Sequence, residues 1–152
     1  MNREKIADVL EKLLPELARL GVPEVLGSYA LGKQDPKDVD ILLVIDEGEL
    51  PDIVPVFGMF NARVVRRFGF RTIGTIDGVR VEVFPAKREY YGAARQYLAG
   101  PRERNIALRK HAKELGMRWQ FWGLFDVEGK MLPCSSEQEF TRCLHQRLCR
   151  AP

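Results

Sequence analysis

Asp38 and Asp40 flank Val39 just ahead of the apolar run Ile41-Leu42-Leu43-Val44-Ile45, and Gly27-Ser28 stands ten residues upstream of the pair. In extended backbone, side chains alternate faces, so Asp38 and Asp40 project from one side and Val39 from the other. Two carboxylates so placed repel each other unless a cation sits between them. Hard divalent ions such as Mg²⁺ take oxygen ligands, and two adjacent metals suit in-line phosphoryl transfer. The pair therefore points to a metal and nucleotide site, which the following strand anchors to a core.

With 152 residues and 45% apolar content, the chain has room for one core, or for one domain of two small subdomains. No stretch approaches the roughly 18 consecutive apolar residues of a membrane span, and the start reads as an amphipathic pattern, not a signal peptide. A soluble, cytoplasmic protein is expected. Cys134, Cys143 and Cys149 lack a CxxC spacing or a nearby His pair that would make a zinc site, and they read as ordinary reduced thiols. Charge is segregated: residues 1 to 79 carry 10 Lys/Arg against 13 Asp/Glu, and residues 80 to 152 carry 14 against 8. That asymmetry suits a polyanion lying across the C-terminal half.

Apolar residues at Ile6, Val9, Leu10, Leu13, Leu14, Leu17 and Leu20 predict a helix from Arg3 to Leu20, with Pro15 as a kink or boundary and Gly21 closing it. Glu24–Leu26 reads as a short strand delivering Gly27-Ser28 into a loop. Strands follow at Asp38–Ile45, Arg63–Phe70, Arg71–Ile76 and Val79–Phe84, and residues 46–55 read as a polar, proline-bearing connection. Asp77-Gly78 is a two-residue hairpin signal. Beyond Pro85 the pattern turns helical over Glu89–Ala99 and Arg102–Leu115, parted by Gly100-Pro101. Short strands gather around Gly123, with a turn at Glu128-Gly129-Lys130. Ser136 and Glu139 resemble a capping box opening a last helix to Leu148. If the strand of Glu82 pairs beside that of Asp38 and Asp40, the three acids form one cluster.

In these residues the chain resembles the nucleotidyltransferase superfamily, and more specifically the DNA polymerase X family of polymerase beta. Gly27, Ser28, Asp38 and Asp40 match the superfamily motif. Arg80-Val81-Glu82, Tyr97-x-x-Gly100, Asn105-x-x-x-Arg109 and Gly123-Leu124-Phe125 match the narrower family in order and spacing. The resemblance implies an α/β (α+β) palm over residues 1–86, a mixed sheet flanked by helices. A small helical and β subdomain that binds the nascent base pair follows over residues 87–152. It further implies the reduced form of the family, without an amino-terminal lyase domain or helix-hairpin-helix fingers.

By that resemblance Asp38, Asp40 and Glu82 are catalytic and hold two Mg²⁺ ions, for which Mn²⁺ can substitute. Gly27, Ser28, Lys33, Tyr97, Gly100 and Asn105 meet the incoming dNTP. Arg80, Arg102, Arg104, Arg109, Lys110 and Lys113 contact DNA, with Arg118, Arg142, Arg147 and Arg150 as further cations. The implied activity is DNA-directed DNA synthesis by a monomer on gapped or primer-template DNA, as in gap-filling repair, in a cell or a virus. A nucleotidyltransferase acting on protein, RNA or a small molecule, and an inactive DNA-binding derivative, are the alternatives. Four positions depart from the family pattern. Leu31 stands where a triphosphate-binding arginine is usual, with Lys33 as the candidate substitute; Glu82 replaces an aspartate, Leu98 an aromatic, and Pro101 a serine or threonine.

Overall fold

Ile6, Val9, Leu10, Leu13 and Leu17 bury one side of α1 (Arg3–Leu17), whose first turn is capped by the Asn2 side chain accepting the Glu4 N–H at 2.8 Å. The helix passes through Pro15 and stops three residues short of Leu20, because the N–H groups of Leu20 and Gly21 both close onto the Leu17 carbonyl. β1 (Val22–Leu26) leads into α2 (Gly27–Ala30), so Gly27 and Ser28 begin a helical turn where the sequence suggested a loop. β2 (Val39–Ile45) is the strand of the carboxylate pair. The proline-bearing connection holds an element the sequence did not announce, α3 (Val54–Gly58). Its first N–H is accepted by Asp52, Pro55 is tolerated in its first turn, and Phe57 is fully buried.

β3 (Arg63–Phe68), β4 (Arg71–Ile76) and β5 (Val79–Lys87) complete a mixed five-stranded sheet of order β1-β2-β5-β4-β3. The Asp77-Gly78 turn forms as its sequence predicts, both residues having positive φ (49° and 80°). It fixes the β4–β5 register, in which Ile73 faces Glu82. Val39, Ile41, Leu43 and Ile45, with Val79, Val81 and Val83, join α1 and α3 in one core. By alternation Asp38, Asp40, Arg80 and Glu82 lie on the other face.

The structure, a computed structural model, describes residues 2–68 and 70–150. The chain divides into two compact units, residues 1–85 and 86–152. The second opens with a single 3-10 turn (Arg88–Tyr90), then α4 (Tyr91–Ala99) and α5 (Arg102–Glu114), joined through a cis Gly100–Pro101 bond. A three-stranded antiparallel sheet of β6 (Arg118–Gln120), β7 (Gly123–Phe125) and β8 (Met131–Leu132) precedes α6 (Glu137–Arg150). Trp119 sits at the centre, its ring 4.8 Å from that of Phe140 and its N–H donating to the Ala93 carbonyl at 3.0 Å. Gly92 is required: a Cβ there would run into the Ser136 carbonyl. The capping box differs in one detail. Ser136 accepts the Glu139 N–H at 3.1 Å, but Glu139 reaches back to the N–H and hydroxyl of Ser135, which hold its carboxyl below the usual range. Cys134 is a core thiol that burial pushes up to about 12. Cys149, Arg147 and Arg150 lie outside the described side chains.

Candidate functional site

Sheet pairing brings Asp40 of β2, and Asp38 just ahead of that strand, beside Glu82 of the neighbouring β5. Asp40 is half-buried, and its pKa is pushed up to about 7, first by burial, then by the charges of Asp38 and Glu82, and further by a hydrogen bond between its carboxyl and that of Glu82. Asp38, nearer solvent, is raised by burial and by Glu82, against the pull of Arg80, Arg71 and Lys37. Three carboxylates thus share one site at an electrostatic cost that a divalent cation would remove.

Glu82 is 7% exposed, and both of its oxygens are engaged. Arg71 Nη2 donates to Oε2 at 3.0 Å and Arg80 Nη2 to Oε1 at 3.5 Å, while Arg80 Nε lies 4.0 Å from Asp38. Arg80, expected among the DNA contacts, bonds the acidic cluster here, and Arg71 was not singled out by the sequence. The hairpin signal contained the information, since a two-residue turn at Asp77-Gly78 pairs Ile73 with Glu82 and sets Arg71 diagonal to Glu82 on the same face. Among the described residues no three His, Cys, Asp or Glu side chains stand ready as a metal cage. The hard oxygen donors of Asp38 and Asp40 nonetheless fit a divalent cation. Gly27 also keeps the space open, because at its φ of +79° a Cβ would sit 2.6 Å from Asp40 Oδ2.

The turn carrying Ser28 is tied down by a residue that sequence reasoning passed over. Arg3 donates to the carbonyls of Lys33 (2.7 Å) and Tyr29 (3.1 Å), and its guanidinium lies 4.2 Å from the centre of the Tyr29 ring. Ser28 is half-buried, whereas Lys33 and Leu31 are exposed. No sequence periodicity links position 3 to positions 29 and 33.

In the second unit, Tyr97, Gly100, Asn105 and Arg109 come together through Gln96, a buried residue the sequence did not single out. Gln96 donates to the Gly100 carbonyl and to Asn105 Oδ1, both at 3.1 Å, and Asn105 donates to the Tyr97 carbonyl at 3.0 Å. Gly100, with φ 70° and ψ −151°, takes a backbone conformation essentially confined to glycine. The Arg109 guanidinium lies over Tyr97 (5.1 Å) and Trp119 (5.7 Å). These side chains and Lys113, Met117, Arg118 and Gln120 line a groove of about 560 Å³. Arg102, Arg104 and Lys110 are exposed along α5, as is Arg142 on α6.

Residues 94–148, 55 of the 152, match the family model of the DNA polymerase beta thumb. The match covers the network of Gln96, Tyr97, Gly100, Asn105 and Arg109 and the aromatic core behind it, and it relates this chain to polymerase beta-like proteins. No curated protein matches the chain. No helix among the described residues is long and apolar enough to cross a membrane.

Proposed function

We propose that this chain is a family X DNA polymerase that adds deoxynucleotides to a primer 3′-hydroxyl on gapped or primer-template DNA. The observation that carries the reading is the thumb match over residues 94–148, preceded in the same chain by a sheet face with three clustered carboxylates. Asp38 and Asp40 would hold two Mg²⁺ or Mn²⁺ ions, and Glu82 would join them at the ion nearer the primer. Bound there, the metals lower the pKa of the attacking hydroxyl and neutralise charge on the transferring phosphoryl group.

The chain's own groups do the rest. Asp40, whose carboxyl in the metal-free chain is pushed up to about 7 by burial and the neighbouring acids, must give up its proton to take a cation. Ser28 and the Gly27 backbone meet the triphosphate on a turn that Arg3 keeps fixed, with Lys33 supplying charge from the rim. Tyr97 and Gly100 border the sugar, and Asn105, oriented by Gln96 and by the Tyr97 carbonyl, presents its amide to the minor-groove edge of the incoming base. Arg109, Lys113 and the α5 cations Arg102, Arg104 and Lys110 contact DNA phosphates and edges, which makes binding salt-dependent.

Primer extension on recessed and gapped DNA with all four dNTPs tests the reading. Metal-dependent incorporation by the full chain, lost in Asp40→Ala, is the expected result. No incorporation under Mg²⁺ or Mn²⁺ by a chain that still binds DNA would leave a DNA-binding module instead.

A further inference from the structure

Arg71 is a cation of the carboxylate cluster that the proposed reaction does not use, and its part-buried contact with Glu82 sets it apart from the exposed ion pairs. Its Nη2 donates to Glu82 Oε2 at 3.0 Å, and its guanidinium carbon lies 4.8 Å from the centre of the Phe84 ring. Its Nε is buried with no hydrogen-bond partner. The exposed ion pairs of this protein are different in kind: Lys12–Asp77 and Arg67–Asp52 join side chains about half open to solvent and contribute little. In the Arg71–Glu82 pair the carboxylate is 9% exposed and the guanidinium 26%, so neither could lose its partner cheaply. Yet one buried donor of Arg71 has no partner, which native structures rarely leave without a reason.

The second observation concerns what Glu82 can do while Arg71 holds it. Arg71 donates to Oε2 and Arg80 to Oε1, so a cation approaching Glu82 meets two guanidinium charges already in place, and among the described residues no cage of three ligands forms. The two arginines do not hold it equally. Arg80, 47% exposed, reaches Oε1 at 3.5 Å and also leans toward Asp38; Arg71 makes the shorter bond from the more buried position, braced on Phe84.

We infer that Arg71 is a built-in counter-ion for Glu82, a positioning residue that occupies the place of a divalent cation when none is bound and must release the carboxylate before the third metal ligand forms. The inference rests on the polymerase reading of this site. It implies that the chain exchanges one positive partner for another, so that metal loading is set by competition between Arg71 and the ion. Glu82 keeps a positive partner in both states.

The test is Mn²⁺ binding to the full chain, without nucleotide or DNA, near pH 8, where Asp40 is ionised. Free Mn²⁺ is followed by electron paramagnetic resonance, and thermal melting is recorded alongside with a chelator. Arg71→Met is expected to bind Mn²⁺ about tenfold more tightly than the parent chain, since a competing cation about 3 Å from a ligand oxygen is gone, and to melt lower when metal-free. Arg71→Lys, which keeps charge but loses the planar fork and the stack on Phe84, is expected to fall between the two. This second variant carries the test if Arg71→Met does not fold. A structural residue lost from the site would weaken Mn²⁺ binding, not tighten it. Unchanged or weaker affinity in the folded variants, with the parent chain binding Mn²⁺, would overturn the inference alone. A parent chain that binds no Mn²⁺ would overturn the inference together with the metal-site reading.

Discussion

The two units handle charge in opposite ways. In the first, five charged side chains, Asp38, Asp40, Arg71, Arg80 and Glu82, meet on one sheet face, and the charges around them shift the titration of both aspartates. In the second, Arg102, Arg104, Lys110 and Lys113 stand separately on the solvent side of α5, while the polar network of Gln96 and Asn105 is uncharged and serves the backbone. Coupled, partly buried charges act as a unit and fail as a unit; separate exposed charges act by summation and are screened by salt. Catalytic chemistry suits the first arrangement, and holding a long polyanion at adjustable strength suits the second.

The largest expected effect breaks the comparison most directly. Asp40→Asn should lower incorporation by about three orders of magnitude or more, the loss expected when a metal-binding carboxylate is removed from a two-metal site, yet leave the metal-free protein at least as stable as the parent. A melting temperature that falls in step with activity would show that the acidic cluster is only structural.

The pH dependence comes next. Because the folded-state pKa of Asp40 is raised from 3.8 to about 7, the folded chain holds a proton that the unfolded chain has released between those values. Stability from this side chain is therefore full below about pH 4, declines as pH rises toward 7, and is flat above, a loss of at most about 4 kcal/mol. Chemical denaturation between pH 4 and 8 should show that decline in the metal-free parent and a flatter curve in Asp40→Asn. In saturating Mn²⁺ the decline should flatten, because the metal takes the ionised form and draws the folded-state pKa back toward the unfolded value.

A smaller effect tests the packing on either side of the comparison. Gly27→Ala forces a side chain onto a positive φ and against Asp40, and should cost about 2 kcal/mol along with activity. Asn105→Ala, which strips a hydrogen bond from the Tyr97 carbonyl and one from Gln96, should cost about 1 to 2 kcal/mol in melting experiments. Smallest of all, Arg102→Gln or Lys110→Gln alone should weaken DNA binding only a few-fold. Each should reduce the slope of log affinity against log salt by about 0.9 or less, and the paired change should be additive. Strong coupling between those two cations would erase the contrast between the units.

Much of this was legible in the chain because the signals were local. Alternation alone put Asp38 and Asp40 on one face, and Asp77-Gly78 announced its hairpin. Tyr97, Gly100, Asn105 and Arg109 were spaced along one helix, a turn and the next helix, and the structure gathers them. What escaped depends on contacts between residues distant in sequence, or on context that overrides composition. Arg3 reaches Tyr29 and Lys33 across about thirty residues, and nothing in its neighbourhood predicts this. Gln96 looks like any polar helix residue until α5 folds back and buries it. α3 was hidden by Pro51 and Pro55, whose usual meaning is a loop, although Ile53 and Phe57 enter the core. Glu82 could be placed in the cluster; its pairing with Arg71 was implicit in the Asp77-Gly78 register but emerges only when that register is combined with the charges of both strands.

The two-residue turn at Asp77-Gly78 therefore sets more than the path of the chain. It meters which side of β4 stands against Glu82, and side chains alternate with a period of two. One added residue in the turn, with β5 kept in place, would bring the opposite side of β4 to that position, sending Arg71 toward the helices and presenting Thr72 to the carboxylate. An insertion remote from every carboxylate would then rewrite the charge of the site without changing a single charged residue. In this chain the length of a hairpin is part of the site's electrostatics.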